Sequence, residues 1–421
     1  MPASSQLVRI LEVSDMFPPQ IGGSEHHVGS LCAELARRGH QVTVVTAPAP
    51  GQPSVEDVES GVRIYRSDRS WAQRLGWIYS DPKRRYHVPG PDPGVVRDLR
   101  RRIRLDHPDI IHAHNWIVYS ALVAAKKRVP VVWTLHDYGL ACVRRNYKYL
   151  GQTDCSGPGL LKCIHCADSA YGSLRAPAVS VALRMSRALL NPQVSTYVAV
   201  GGTVERVARE FVGGARLVRL RSFVDPLPSA DAERPAFLPD GEFILFVGSL
   251  IEDKGSKVLI DAYTALVAKR AMPPLVILGK PSSEMRAELP AGVIVRYNVP
   301  AGEVRAAWRH ALIGVVPSTY MDPFPHAAIE CQLAGRPTIA SRTGGLPEIV
   351  EDGVSGILVE PGNAADLRNA LTRLLDNPEL REEMGARARD RSDAMTTGPV
   401  VTELLAVFDQ TIAQYRAQAR R

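Results

Sequence analysis

The 421-residue chain carries 51 Lys and Arg against 44 Asp and Glu, a net charge of +7, with 45% hydrophobic and 23% charged residues. This is ordinary globular composition, and the length allows two domains, because single cores rarely grow past about 250–300 residues. The longest apolar stretch, IVYSALVAA, has nine residues, far short of the roughly 20 of a membrane span. The first residues lack the basic and sustained apolar segments of a signal peptide, so a cytoplasmic location is expected.

The positive charge is uneven. Twelve Lys or Arg fall between Arg63 and Arg104, and Arg100, Arg101, Arg102 and Arg104 sit on a helix-like run. Such a face can attract an anionic membrane surface or a phosphorylated acceptor, or simply be solvated. No aromatic residues interleave these arginines to stack bases, so nucleic acid is not expected.

In chain order, LVRILEVS (7–14) suits a central strand. A loop containing Gly22-Gly23 and an amphipathic helix stopped by Gly39 follow, then the strand QVTVVTA (41–47). This is β–loop–α–β, with the glycine pair at the carboxyl edge of a parallel sheet, where backbone meets ligand. Residues 50–95 are proline-rich and irregular, with Trp71, Trp77, Tyr79 and Tyr86 among basic residues. The segment reads as an acceptor-binding loop or a packed peripheral lid. PDIIHAH (108–114) and VPVVWTLHD (129–137) are further buried strands, whose ends gather His112, His114, His136 and Asp137. For His112 a capped or solvated role is preferred. STYVAV (195–200) leads into a helix at Gly202-Thr203, and residues 216–241 lose periodicity and gain prolines, as a linker does.

A second repetition of strand, loop and helix starts at EFILFVGSL (242–250), followed by IEDKGSKVLIDAYTALVAKR; PPLVILGK, GVIVRYNV and ALIGVVPS supply more strands. Residues 317–350 then organise the rest. Pro323 and Pro325 precede the helix-forming run HAAIECQLA, which stops at Gly335. PTIAS is a short buried strand, and Gly344-Gly345 turns into another helix near Pro347. Two helix starts beside Gly- and Pro-rich loops make a phosphate-binding edge. Asp322 and Glu330 bracket the first of them. They read as sugar-hydroxyl ligands, which accept two short hydrogen bonds at once, or as two solvated acids.

Acid-x7-acid from Asp322 to Glu330, then A-G-R-P, a short strand and T-G-G-L-P-E-I-V, resembles the donor-site signature of retaining family 4 glycosyltransferases of GT-B fold. The resemblance extends in order through the Gly-Gly loop, the HAH and HD strand ends and the Lys254-Gly255 loop. It implies an α/β protein of two Rossmann-like doubly wound domains facing across a cleft. Residues 1–225 would form the acceptor-side domain, 226–396 the nucleotide-sugar domain, and helix 397–421 would pack back on the first. It further implies retaining transfer of a hexosyl or N-acetylhexosaminyl unit from a nucleotide-diphosphate sugar to a hydroxyl of a glycan, glycolipid or small molecule. Carried over residue by residue, the diphosphate lies at Lys254 and the Asp322–Ala328 loop, and the ribose at Glu330. The sugar lies at His136, Asp322 and the backbone of residues 322–326, which include Phe324, Pro325 and His326, with Gly22, Gly23, Gly248, Ser249 and Ala327 lining the donor. The catalytic group is then His136, Asp322 and Glu330. No DxD-type metal site is required. The chain departs from the family at Asp322, where Glu is usual, at Ser249, where Arg is usual, and at Ser222-Phe223, where Asn-Gly is usual. These departures keep open a non-catalytic nucleotide-sugar-binding protein, and the fold leaves open a nucleotide-sugar epimerase.

Six cysteines in a cytosolic chain argue against a disulfide framework. Cys32 and Cys331 fall in helix patterns as small hydrophobes. Cys142, Cys155, Cys163 and Cys166 fall close together, and a C-x2-C end with two upstream cysteines suits a structural zinc site; free thiols and an iron–sulfur cluster are the alternatives.

Overall fold

The computed structural model describes residues 7–15, 17–20, 22–58, 60–71, 87–228, 233–280 and 289–420. The chain forms two compact units. Unit 1 comprises Met1–Arg221 with Thr397–Arg421, and unit 2 is Ser222–Thr396.

Unit 1 is built on strands β1 (Arg9–Ser14), β2 (Gln41–Thr46), β3 (Val55–Asp57), β4 (Arg63–Arg66), β5 (Ile110–His114), β6 (Val131–Leu135), β9 (Thr196–Ala199) and β10 (Arg216–Arg219). Two short strands, β7 (Lys148–Tyr149) and β8 (Thr153–Asp154), form a separate ribbon. The large sheet has the order β10-β9-β6-β5-β1-β2-β4-β3, parallel except where β3 runs against β4. Every residue of β5 and β6 is buried. Helices on both faces of a parallel sheet produce this; β6, VVWTL, is nearly all apolar, whereas β5, IIHAH, buries two histidines.

Helix α1 (Gly23–Arg37) packs Val28, Leu31, Cys32 and Leu35 inward. Helix α2 (Pro93–Asp106) starts at Asp92, whose carboxylate accepts from the amides of Gly94 at 2.9 Å and Val95 at 3.2 Å. This is the side-chain cap that orphan first-turn amides require. The last helix, α13 (Thr397–Ala419), closes unit 1: Arg38 donates to Thr402 Oγ1 at 2.8 Å, and Thr196 and Thr411 share a 2.9 Å hydroxyl contact.

Two expectations need correction. Residues 50–95 are not irregular throughout, because Val55–Asp57 and Arg63–Arg66 extend the sheet; Trp77, Tyr79 and Tyr86 lie outside the described residues. Residues 216–219 are the edge strand β10 rather than linker, and RLVR, only four residues long and partly exposed, hid this.

Unit 2 carries β11 (Ile244–Val247), β12 (Leu275–Gly279), β13 (Val293–Tyr297), β14 (Ile313–Val316), β15 (Thr338–Ser341) and β16 (Gly356–Val359). All are parallel, in the order β13-β12-β11-β14-β15-β16. The order reverses between β11 and β14, and ligands of open α/β sheets bind beyond the carboxyl ends of such a pair. Ile244, Phe246, Leu259, Ile277, Ile313 and Leu371 centre its core. The unit closes where Val224 N donates to Met395 O at 3.1 Å.

Candidate active site

The loops after β11 and β14 meet at the switch point of unit 2. Beyond β11, Gly255 has a φ of 72°, and a Cβ there would lie 1.8 Å from Pro317 O. Only glycine allows the two loops to approach so closely. Thr319 fastens them, its amide donating to Asp253 O and its hydroxyl to Glu252 O, each at 2.9 Å. This brings Lys254 Nζ to 2.5 Å from Asp322 Oδ2, with Tyr320 OH at 3.4 Å. Ser318 Oγ donates to the same carboxylate oxygen at 3.2 Å.

Asp322 is buried, with 4% exposure. From behind, Gly344-Gly345 supports its loop: Gly345 N donates to Asp322 O at 2.8 Å, and a Cβ on Gly344 would lie 2.2 Å from that oxygen. Phe324 is buried, and Pro325 caps helix α9 (His326–Leu333) with no side-chain acceptor. No side chain therefore occupies this helix start, the end of a helix that favours an anion. His326 Nε2 is 2.8 Å from Ser222 Oγ, so Ser222, one of the departures from the family pattern, fixes the ring at the helix start.

One turn further, Glu330 Oε2 accepts from the indole N–H of Trp308 at 3.0 Å; Trp308 lies on helix α8 (Ala301–His310). Part of Glu330 reaches solvent, yet burial of the carboxyl pushes its pKa up to about 7, against the pull of Trp308 and Arg305. Gly248 and Ser249 follow β11. A Cβ on Gly279 would lie 2.1 Å from Gly248 O, so the two strand ends are in backbone contact. Ala327 packs on the core beneath α9.

In unit 1, His136 belongs to a buried chain of hydrogen bonds. Glu12, fully buried in β1, is 3.0 Å from His112 Nδ1 and 3.1 Å from His114 Nε2. His112 Nε2 meets Thr134 Oγ1 at 2.7 Å, and His114 Nδ1 meets His136 Nε2 at 2.8 Å. Burial opposes ionisation of Glu12, but the charge and hydrogen bonds of its histidines hold its pKa down. Burial holds His114 down to about 4, so it is neutral near pH 7. With Glu12 ionised and His114 neutral, the hydrogen bonds, rather than a His114 charge, hold this pair. The tautomers follow from the donor count. His114 donates from Nε2 to Glu12, accepts at Nδ1 from His136 Nε2–H, and leaves His136 Nδ1 as its remaining ring nitrogen. His27 packs edge-on against His136 with ring centroids 4.9 Å apart. Glu12, His112 and His114 are also close enough to resemble a metal site, but each of their facing ring nitrogens is engaged in this network.

Gly22 and Gly23 open α1, where Glu25 folds back: a Cβ on Gly22 would lie 2.0 Å from its Oε2. Asp137 lies outside the imidazole chain and pairs with Arg145 at 2.6 Å. Among the described residues of the basic stretch, four arginines are paired within unit 1: Arg63 with Asp57, Arg66 with Glu56, Arg69 with Asp98, and Arg102 with Asp106.

Glu12, Trp308, Ser318 and Tyr320 join these clusters without having been expected. For Glu12 a signal existed, a lone acid inside the apolar strand ILEV. Trp308 gave none beyond its place in an ordinary helix.

A switch-point cradle with a paired Lys and Asp lies where doubly wound α/β proteins bind their ligands. The comparisons specify the family. Glycosyltransferase Family 4 matches residues 21–226 and Glycosyl transferases group 1 matches residues 230–391. The chain belongs to the family 4 glycosyltransferases and has the GT-B fold. It is 28% identical over 413 residues to the D-inositol 3-phosphate glycosyltransferase of Jonesia denitrificans, covering 93% of this chain and 91% of the relative. The enzyme of that name from Corynebacterium diphtheriae is 27% identical over 92% and 89%. Among solved structures, sucrose-phosphate synthase from Thermosynechococcus elongatus superimposes with a TM-score of 0.73 at 20% identity, over 96% of this chain and all of that one. Anabaena HepE in complex with UDP-glucose gives 0.66 at 17% identity, over 98% of this chain and all of that one. No helix among the described residues is long and apolar enough to cross a membrane.

Proposed function

We propose that unit 2 binds a nucleotide-diphosphate sugar at the loops after β11 and β14. In this reading the enzyme transfers the hexosyl or N-acetylhexosaminyl unit to an acceptor hydroxyl with retained anomeric configuration. The observation that carries the reading is the Lys254–Asp322 pair, an ammonium and a buried carboxylate held 2.5 Å apart at the strand-order switch. The ammonium supplies charge to the diphosphate, and the carboxylate accepts from sugar hydroxyls. Because the two are paired before the donor arrives, donor binding exchanges part of this contact for contacts with the phosphates.

The uncapped start of α9 offers amides to the same phosphates, Glu330 accepts from the ribose, and His136 contacts the transferred sugar. The leaving phosphate takes the acceptor's proton on the face where the acceptor attacks. The protein then contributes orientation and charge stabilisation rather than a nucleophile. UDP-glucose, present in the HepE complex, and a D-inositol phosphate, named for the relatives, are the first donor and acceptor to try.

Lys254→Ala is expected to weaken UDP- or GDP-sugar binding at least tenfold, as loss of a charge-assisted contact worth roughly 1.5–3 kcal/mol implies. Asp322→Ala should lower turnover more than nucleotide affinity. Calorimetry reads the first and product NMR the anomer; unchanged affinity in Lys254→Ala removes the site, and an inverted product removes the mechanism.

A further inference from the structure

Downstream of β6 the chain makes a segment that none of the donor chemistry uses. It comprises the β7–β8 ribbon and helix α4 (Leu160–Tyr171), which places Cys163 and Cys166 three residues apart and so on one face. The segment is short of large aliphatics and rich in turns at Gly151, Gly157, Pro158 and Gly159. Yet its backbone is held in unusual conformations. Arg145, Tyr147 and Leu150 have φ of 67°, 55° and 55°, a left-handed region that side chains disfavour and that persists only where surroundings impose it.

One of those turns aims an amide at sulfur: Leu150 N donates to Cys166 Sγ at 3.1 Å. A neutral thiol is a weak acceptor, whereas a metal-bound thiolate is strengthened and oriented by such donors. Cys142, Cys155, Cys163 and Cys166 all line one cavity of about 10 Å³. That is room for roughly one water-sized body, as a single ion needs.

We propose that these four cysteines bind one Zn²⁺ as a structural clip in unit 1. Binding converts four thiols to thiolates and releases four protons, leaving a [Zn(S-Cys)₄] centre of charge 2−, and Lys148 and Lys162 on the cavity wall offset that charge. The sulfurs ring the cavity without closing on one another. Among the described residues, the group of three ligand atoms within 4.8 Å of one another is Glu12, His112 and His114. Zn–S bonds of about 2.3 Å therefore draw the β7–β8 ribbon and α4 together.

The test is elemental analysis of the full-length protein purified without chelator or added metal, with thiol titration alongside. About one zinc per chain and four unreactive thiols are expected, together with sulfur-to-cobalt charge-transfer bands after Co²⁺ replacement. Cys142→Ser and Cys166→Ser should each lose the metal and leave nucleotide affinity in unit 2 unchanged. Metal-free wild-type protein with four reactive thiols overturns the proposal. So does iron with acid-labile sulfide, or a mass lower by two hydrogens that marks a disulfide. The wild-type measurements decide even where a Ser variant does not fold.

Discussion

Burial acts oppositely on two carboxylates of this chain because their partners differ. Glu330 meets one indole N–H and is pushed up to about 7, whereas Glu12 meets two imidazoles and is held down. An ionised carboxylate accepts from two ribose hydroxyls and a protonated one does not, so nucleotide affinity should fall as pH drops from 8 to 6. A fall of roughly tenfold is expected if only the ionised form binds, and Glu330→Gln should flatten the profile when both are measured by calorimetry. The stability sign is the reverse. An acid raised from 4.5 to about 7 contributes stability that is fully present below 4.5 and lost as pH rises through 7. Glu330→Gln should accordingly melt higher than wild type at pH 8. For Glu12→Gln, the amide cannot accept from both His112 and His114, and one buried imidazole loses its partner at a cost of roughly 1–3 kcal/mol. We expect a lower melting temperature and a turnover loss larger than any loss of nucleotide affinity, since His136 takes its orientation from His114. Turnover equal to wild type in a folded variant would sever that chain from catalysis.

At the scale of elements, two glycine contacts set the donor loops. Gly344 has a φ of 59° and no space for a Cβ against Asp322 O. Gly344→Ala should therefore displace the Asp322 loop and weaken nucleotide binding by about tenfold or more, with stability reduced by roughly 1–3 kcal/mol. Calorimetry against thermal melting separates the two effects. The strands behind these loops were legible because both faces are covered, which leaves unbroken runs such as ILFV and IGVV. Edge strands were not: VED and RLVR keep one side in solvent, and nothing in them outweighs neighbouring Pro and Gly. The Asp322 and Lys254 positions could be read from motif order, but their direct pairing could not, since it depends on loops 68 residues apart in sequence. Glu12 stood out as a lone acid in an apolar strand, but its pairing did not, its histidines lying about 100 residues on. The cysteines were visible as residue types, while the Leu150 amide at Cys166 Sγ depends on backbone angles that composition does not encode.

Across the whole molecule, unit 2 is one continuous segment and unit 1 is made of two. Helix α13 buries Val400, Val401, Leu404 and Phe408 in unit 1, and the Phe408 ring stands 5.1 Å from that of His112. Phe408→Ala should cost about 3–5 kcal/mol, read as a lower unfolding temperature of unit 1, while the nucleotide still stabilises unit 2. The split also governs synthesis. Chains leave the ribosome N-terminus first, and domains fold as they emerge. The first 221 residues here are exposed to the cell while the surface awaiting Leu404 and Phe408 is still bare, and all of unit 2 is translated before α13 exists to cover it. Unit 1 is thus begun before unit 2 and finished after it, and in that interval its uncovered apolar face is open to chaperones and proteases.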